Sequence, residues 1–411
     1  MLNKPIPKRI GIIKMADATG EIKMNNKNSS EEHSDLRLGL SGLATAPIGY
    51  LVLLFLPVYL EVVGINLSLT EQQIGWLAST DSVGLALATF IFSVFIKKVN
   101  FRHVLVIGVI VTVLGNLLSA LVNDFILLCI IRSLTGLGEG MIVAVGISAI
   151  GMTKNPNRWF GFYTAAIVMV QAIGLVLVPI IYEQFSLLGV FVAMAFFYAL
   201  PLSVVKLLPS KSDDYKLLID TEALVLKQPS KLLNLGLLSL LFFYISIGGM
   251  WTYMSLIGTS GGLTLSFVSQ ALATAMIAGL LGALFFAYIG HHGKNIGLLF
   301  ISLLLMALPL WGLGDGLTGT RYLIALCVFS FFWSIAGARL FAVISDVDRS
   351  GKYISSAQTV VGFGYIIGPI CASTLVKGNG YTGVIMMGTI LLGLCFVSIL
   401  PLARFKVNTV T

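Results

Sequence analysis

The chain has 411 residues, of which 57% are hydrophobic and only 11% charged, with a mean hydropathy of +0.95. A soluble fold carries roughly a quarter of its residues as charged groups, so this composition excludes a soluble globular protein. The formal net charge of +8 would suit a nucleic-acid binder, but the placement of the charges along the chain argues against that partner and for a lipid bilayer.

Residues 1–38 form a polar tail with Lys4, Lys8, Arg9, Lys14, Lys23, Lys27 and Arg37. The apolar patch Ile10–Ile13 is too short for the core of a signal peptide, and disorder is the expected state. Beyond the tail come twelve apolar runs: Thr45–Gly64, Ile74–Ile96, Val104–Val122, Phe125–Ala144, Phe160–Ile181, Leu187–Leu207, Leu235–Ile257, Leu265–Ile289, Ile296–Leu313, Leu323–Ser345, Ile354–Val376 and Thr382–Leu402. About 20 apolar residues cross a hydrocarbon core of about 30 Å as a helix. Short alternating segments, the mark of a membrane barrel, are not seen, so the expected class is an all-α integral membrane protein. The runs divide into six-helix bundles over 39–208 and 232–403. A cytoplasmic linker over 209–231 joins them, and a short cytoplasmic tail, 404–411, follows.

With this arrangement one face of the membrane receives Lys97, Lys98, Arg102, Lys154, Arg158, Lys206, Lys231, Lys294, Arg349, Lys352 and Arg404. The opposite loops carry only Arg321 and Lys377. That asymmetry is the positive-inside pattern, which puts both termini in the cytoplasm, and a bacterial inner membrane is the expected location. Cys129, Cys327, Cys371 and Cys395 fall inside predicted helices and form neither a disulfide framework nor a metal-ligand spacing. No phosphate-binding loop or dinucleotide fingerprint is present. The expectation is therefore no enzyme activity and no cofactor, with a proton gradient as the energy source.

Shifting the chain against itself by 194 residues superposes its halves without a gap. Gly42, Tyr50, Tyr59, Gly64 and Thr70 fall on Gly236, Tyr244, Tyr253, Gly258 and Thr264, and Gly174 falls on Gly368. Two parallel repeats in a polytopic membrane protein are the architecture in which a transport site lies between the repeats.

A charge inside a span is costly unless paired or solvated, so intramembrane charges point to function. Asp81 and Arg132 lie at one depth in neighbouring spans and are expected to pair, either as part of the transport machinery or as a purely structural ion pair. Arg132 and Glu139, seven residues apart, share a helix face. The 194-residue shift brings Trp333 to the position of Glu139, predicting an acid and an aromatic facing each other across a cavity. Glu139 is also the proton-carrying candidate, because a carboxyl in a low-dielectric cavity is able to exchange a proton near neutrality. The glycines of the Arg132–Gly140 run, Gly136, Gly138 and Gly140, suit a close helix seam, and Gly368 with Pro369 suits a hinge. Tyr50, Gln171, Tyr244, Trp251, Trp333, Gln358 and Tyr365 are candidate cavity residues. Lys97, Lys98, Arg102 and Arg339 are candidates for a cytoplasmic gate, with snorkelling to the interface the alternative for Arg339. His291-His292 reads as part of a solvated loop rather than a metal site.

These residues resemble the major facilitator superfamily from Gly39 to Leu402. In that family twelve helices form two pseudo-symmetric bundles, with helices 1, 4, 7 and 10 lining a central cavity. Its fourth-helix pattern, an Arg followed by closely spaced glycines, is matched by Arg132, Gly136, Gly138 and Gly140, and implies a link between Arg132 and proton movement. The family's loop between helices 2 and 3 is matched only by Lys98 and Arg102; both glycines and the acid are missing from Ser93–Arg102. The Gly-Pro pair that marks drug/proton antiporters in helix 5 is absent, since Pro179 follows Gly174 only after four residues. The resemblance thus implies a secondary transporter working as a monomer by alternating access on a small organic molecule, with proton-coupled uptake the leading reading. Drug efflux by proton antiport is the alternative, as is a non-transporting sensor or scaffold retaining the fold.

Overall fold

The computed structural model describes residues 35–96, 98–209, 229–289, 296–313, 317–348 and 352–404. Lys97 and His291-His292 therefore lie outside the described residues, as does the side chain of Gln358. Every regular element among the described residues is helical. Helix α1 is composite, with residues 35–49 followed by Leu51–Leu54 and Leu56–Leu67. Then come α2 (Glu71–Phe95), α3 (Phe101–Ser119) and α4 (Phe125–Gly151). The stretch Pro156–Ala199 leaves helical geometry at Ser186 (φ 58°, ψ −167°), which divides it into α5 and α6, and the 3-10 segment Leu200–Leu207 continues α6. The second half has α7 (Ser230–Ser260), α8 (Leu265–Ile289), α9 (Ile296–Ala307, extended by 3-10 Leu308–Gly312) and α10 (Gly319–Val347). Lys352–Arg404 is divided at Gly380 (φ 59°, ψ −161°) into α11 and α12.

Among the described residues nine helices are long and apolar enough to cross a membrane. One of them, Arg158–Leu207, contains the Ser186 break; the shorter apolar helices Leu56–Leu67 and Ile296–Gly312 fall where two further spans were expected. Outward-facing Ile107, Ile110, Leu114, Ile277 and Leu284 are exposed, as lipid contact requires.

The repeat is written into the helix starts. Thr70 caps α2, accepting from Gln73 N at 3.3 Å, and its equivalent Thr264 accepts from Phe267 N at 3.3 Å. Asp124 caps α4, accepting from Leu127 N at 2.8 Å, and its equivalent Thr318 accepts from Arg321 N at 3.4 Å. A side-chain oxygen at each start satisfies a backbone N–H that the helix cannot. Within the first half, α4 packs against α2 and α3. A Cβ at Gly136 would stand 2.2 Å from the Asp81 carbonyl oxygen, so only glycine lets the two backbones approach this closely. Between the halves, α1 meets α7, α2 meets α11, and the Pro156–Ala199 stretch meets α8.

Candidate functional site

Three structures in the interior bear on function, and the first is the break in α1. Pro57 has no N–H, so the Leu53 carbonyl one turn earlier loses its helical partner. Phe55 leaves helical geometry (φ −111°, ψ 24°), and the chain restarts at Leu56. Side chains then supply the missing donors. Trp251 Nε1 of α7 donates to Leu53 O at 3.3 Å, and Gln171 Nε2 of α5 donates to Leu54 O at 2.9 Å. Both were candidate cavity residues. The structure places them at 2% and 8% exposure with their polar atoms used on the α1 backbone, so their role there is to hold the break.

The second is an ion network inside the first half. Arg132 of α4 donates through Nε to Asp81 of α2 at 2.9 and 3.2 Å, and its second guanidinium nitrogen approaches Asp81 Oδ1 to 2.8 Å. Its remaining donors reach Asn116 of α3 at 3.1 Å and Glu139 at 3.3 Å. Tyr198 of α6 donates to Glu139 Oε1 at 2.7 Å, and the Tyr59 ring of α1 lies 5.6 Å from the guanidinium carbon. The expected meeting of Asp81, Arg132 and Glu139 is thus present, with spans α1, α2, α3, α4 and α6 all contributing. The charged members are 0–1% exposed. Two polar atoms in this region have no partner, Glu139 Oε2 and Tyr59 Oη.

One expectation fails here. Glu139 does not face Trp333 across a cleft. Its carboxyl turns into the first half, where Arg132 and Tyr198 both bond its Oε1, while Trp333 stacks on Trp251 and Phe329 with ring centroids 6.0 and 5.9 Å away. Sequence symmetry predicts equivalent places on the two helices but not the direction of either side chain.

The third is the seam between the halves. Tyr253 Oη donates to Glu71 O at 2.7 Å, Tyr381 Oη to Glu71 Oε1 at 2.7 Å, and Ser79 Oγ to Ile366 O at 2.8 Å in the helical turn loosened by Pro369. Ser255 donates to Glu61. With the Trp251 bond, these hydrogen bonds tie the halves together at and beyond mid-span on the side away from the chain termini.

Glu61 was not among the predicted site residues. It lies three residues from the end of the run Thr45–Gly64, where a carboxylate reads as an interfacial charge, yet it is 2% exposed. The signal that would have found it is the repeat itself, which carries Glu61 onto Ser255.

The other candidates fall as follows. Tyr244 stacks on Tyr365 at 5.6 Å, and Tyr50 lies within electrostatic reach of Tyr365, so these aromatics gather from α1, α7 and α11. Gly138 lies against Gly108 of α3 and Gly140 against Leu85 of α2, while Gly368 lies against Ile245 and Gly249 of α7. Arg102 donates to the carbonyls of Leu208 at 2.7 Å and Lys206 at 3.2 Å, tying the start of α3 to the end of α6 within one half. Lys98 is exposed. Arg339, 6% exposed, lies beside Val343, Asp346 and Leu402 within the second half. Neither arginine is drawn to the other half, so in this conformation the expected gate contact is not made by them.

A family model for the Major Facilitator Superfamily matches residues 40–346. This chain belongs to that superfamily. It is a transporter, not an enzyme. Solved structures of the same fold include a crystal structure of the nucleoside transporter NupG, at TM-score 0.67 and 15% identity, covering 91% of this chain and 100% of that one. A crystal structure of a D-xylose-proton symporter matches at TM-score 0.70 and 15% identity, covering 92% and 98% of the two chains. At that identity these likenesses concern the fold alone. No curated protein matches the chain.

Proposed function

We propose that this superfamily member is a secondary transporter in a bacterial inner membrane, with its termini in the cytoplasm, that takes up a small organic molecule together with protons by alternating access. The observation that carries the reading is the seam itself: on the side away from the termini the halves meet through a few single hydrogen bonds, which alternating access can make and break. Movement of one half against the other would break these few polar contacts and leave each half's interior intact. The aromatic gathering of Tyr50, Tyr244 and Tyr365, with Trp333, is the proposed surface for the solute.

Glu139 is the proposed proton carrier. One guanidinium stands against two carboxyls in a dry interior, so the network is neutral only when it holds a proton. Glu139 makes the longer contact to Arg132 and keeps one oxygen free, which gives the proton a place. The test is uptake of labelled metabolites, class by class, into reconstituted vesicles with and without an imposed pH gradient. Accumulation of one class that collapses with a protonophore supports the reading. Solute flux indifferent to the gradient removes the proton from it, and expulsion driven by an opposite gradient replaces uptake by antiport.

A further inference from the structure

Glu61 is the buried acid that the ion network does not use. It stands on α1 one turn beyond Pro57, in the seam between the halves rather than inside either one. Ser255 of α7 donates its hydroxyl to Glu61 Oε2, while Thr259, one turn further along α7, gives its own hydroxyl to the Ser255 and Leu256 carbonyls. Ser255 is the residue onto which the 194-residue repeat carries Glu61. Two equivalent positions touch only where the axis relating the halves passes, so this contact sits on the pseudo-twofold axis. A contact on that axis and beyond mid-span is parted whenever the halves rock open on that side.

No Lys, Arg or His pairs with Glu61 among the described residues. The titratable groups facing it from the packed elements are tyrosines and one acid. Tyr253 of α7 and Tyr381 of α12 are both engaged with Glu71 at the exposed start of α2, and Tyr322 of α10 donates to Met254 O at 2.7 Å. Tyr59, two residues away on α1, lies over Arg132. Tyrosines are neutral at physiological pH and Glu71 adds only negative charge, so nothing here offsets an ionised Glu61. A carboxylate sealed in such a place is strongly disfavoured, whereas a neutral carboxyl keeps the Ser255 bond without a buried charge.

We infer that Glu61 is a proton-operated latch for the gate on the side away from the termini. With its proton on, the carboxyl bonds Ser255 and the seam closes. When the halves part, water reaches Glu61, the proton passes to solvent, and the carboxylate cannot re-enter the dry seam until a proton returns. The latch rests on alternating access only for the movement of the halves; it is distinct from Glu139, which lies within one half and is not exposed by their parting.

The test needs no substrate. Spin labels at Asn66 and Ser260, equivalent exposed positions at the ends of α1 and α7, report the gate by their separation in nanodiscs, with the four native cysteines replaced. In the parent, the ratio of parted to closed populations rises with pH, approaching tenfold per pH unit, the limit for one linked proton. Glu61→Gln, which keeps the shape and cannot ionise, holds the short distance across the range. Ser255→Ala shifts the ratio toward parted at every pH, and Glu71→Gln, although its side chain also bonds across the seam, keeps the pH dependence. An unchanged profile in Glu61→Gln, a ratio unaltered in Ser255→Ala, or loss of the pH dependence in Glu71→Gln instead would each overturn the latch. A protein that shows the latch profile and transports nothing would sink the transport reading alone.

Discussion

The two halves share a fold and differ inside it. Where the first half places Asp81, Asn116, Arg132 and Tyr198, the repeat places Ala275, Leu310, Leu326 and Leu392 in the second, each 0–2% exposed. Where Glu139 stands in the first, Trp333 stands in the second. The same six-helix packing is thus held once by an ion network and once by an apolar core. Replacing buried ion pairs with apolar residues of similar volume is often neutral or stabilising, so the second half is the natural control for the first. The comparison teaches that the fold does not need these charges. On the transport reading, they are kept for what a proton does there.

The largest expected effect breaks that comparison by leaving it half-made. Arg132→Leu strands two carboxyls in the interior, and a loss of about 3–5 kcal/mol is expected in denaturant or thermal unfolding in lipid nanodiscs. A variant as stable as the parent would show that the network is hydrated and not sealed. Next comes Gly136→Ala, whose new methyl meets backbone rather than a yielding side chain, with the Asp81 carbonyl oxygen at 2.2 Å. Overpacking of this kind costs about 1–3 kcal/mol, and α2 must move away from α4. Hydrogen exchange at Arg132 should then rise with the longer ion pair, and unchanged exchange would count against the close seam as the device that holds it.

Smaller effects sharpen the comparison. Trp251→Phe keeps the aromatic surface and leaves the Leu53 carbonyl bare, for about 1–2 kcal/mol. The melting temperature of this variant should fall further than that of Trp333→Phe, whose indole N–H has no bond drawn. Equal falls would mean that Trp251 acts by packing alone. Tyr198→Phe is the mildest, about 0.5–1.5 kcal/mol, because Glu139 keeps its bond to Arg132. Uptake in this variant should still respond to pH, with a displaced optimum; an unmoved optimum would detach Tyr198 from the proton site.

The spans were legible because hydropathy over about 20 residues survives any detail of packing. The meeting of Asp81 with Arg132 was legible too, since equal depth on adjacent helices follows from rise per residue alone. Side-chain direction was not. Glu139 and Trp333 occupy equivalent places, but each points toward whatever satisfies it, and only three-dimensional neighbours decide that. Trp251 and Gln171 looked like cavity residues because the sequence does not reveal that Pro57 frees carbonyls needing donors from other helices. Glu61 escaped notice for a different reason: near the end of a span, an acid reads as solvated until its seam partner is known.

The most direct test of the claim that the first half's charges serve function and not folding is to give it the second half's interior. A protein carrying Asp81→Ala, Asn116→Leu, Arg132→Leu, Glu139→Leu and Tyr198→Leu together is compared with the parent in nanodiscs for thermal unfolding, and in vesicles for solute uptake driven by a pH gradient. The account predicts an unfolding temperature at or above that of the parent, with gradient-driven accumulation abolished. Uptake that persists at parental rates in the substituted protein would contradict it, and so would failure of that protein to fold.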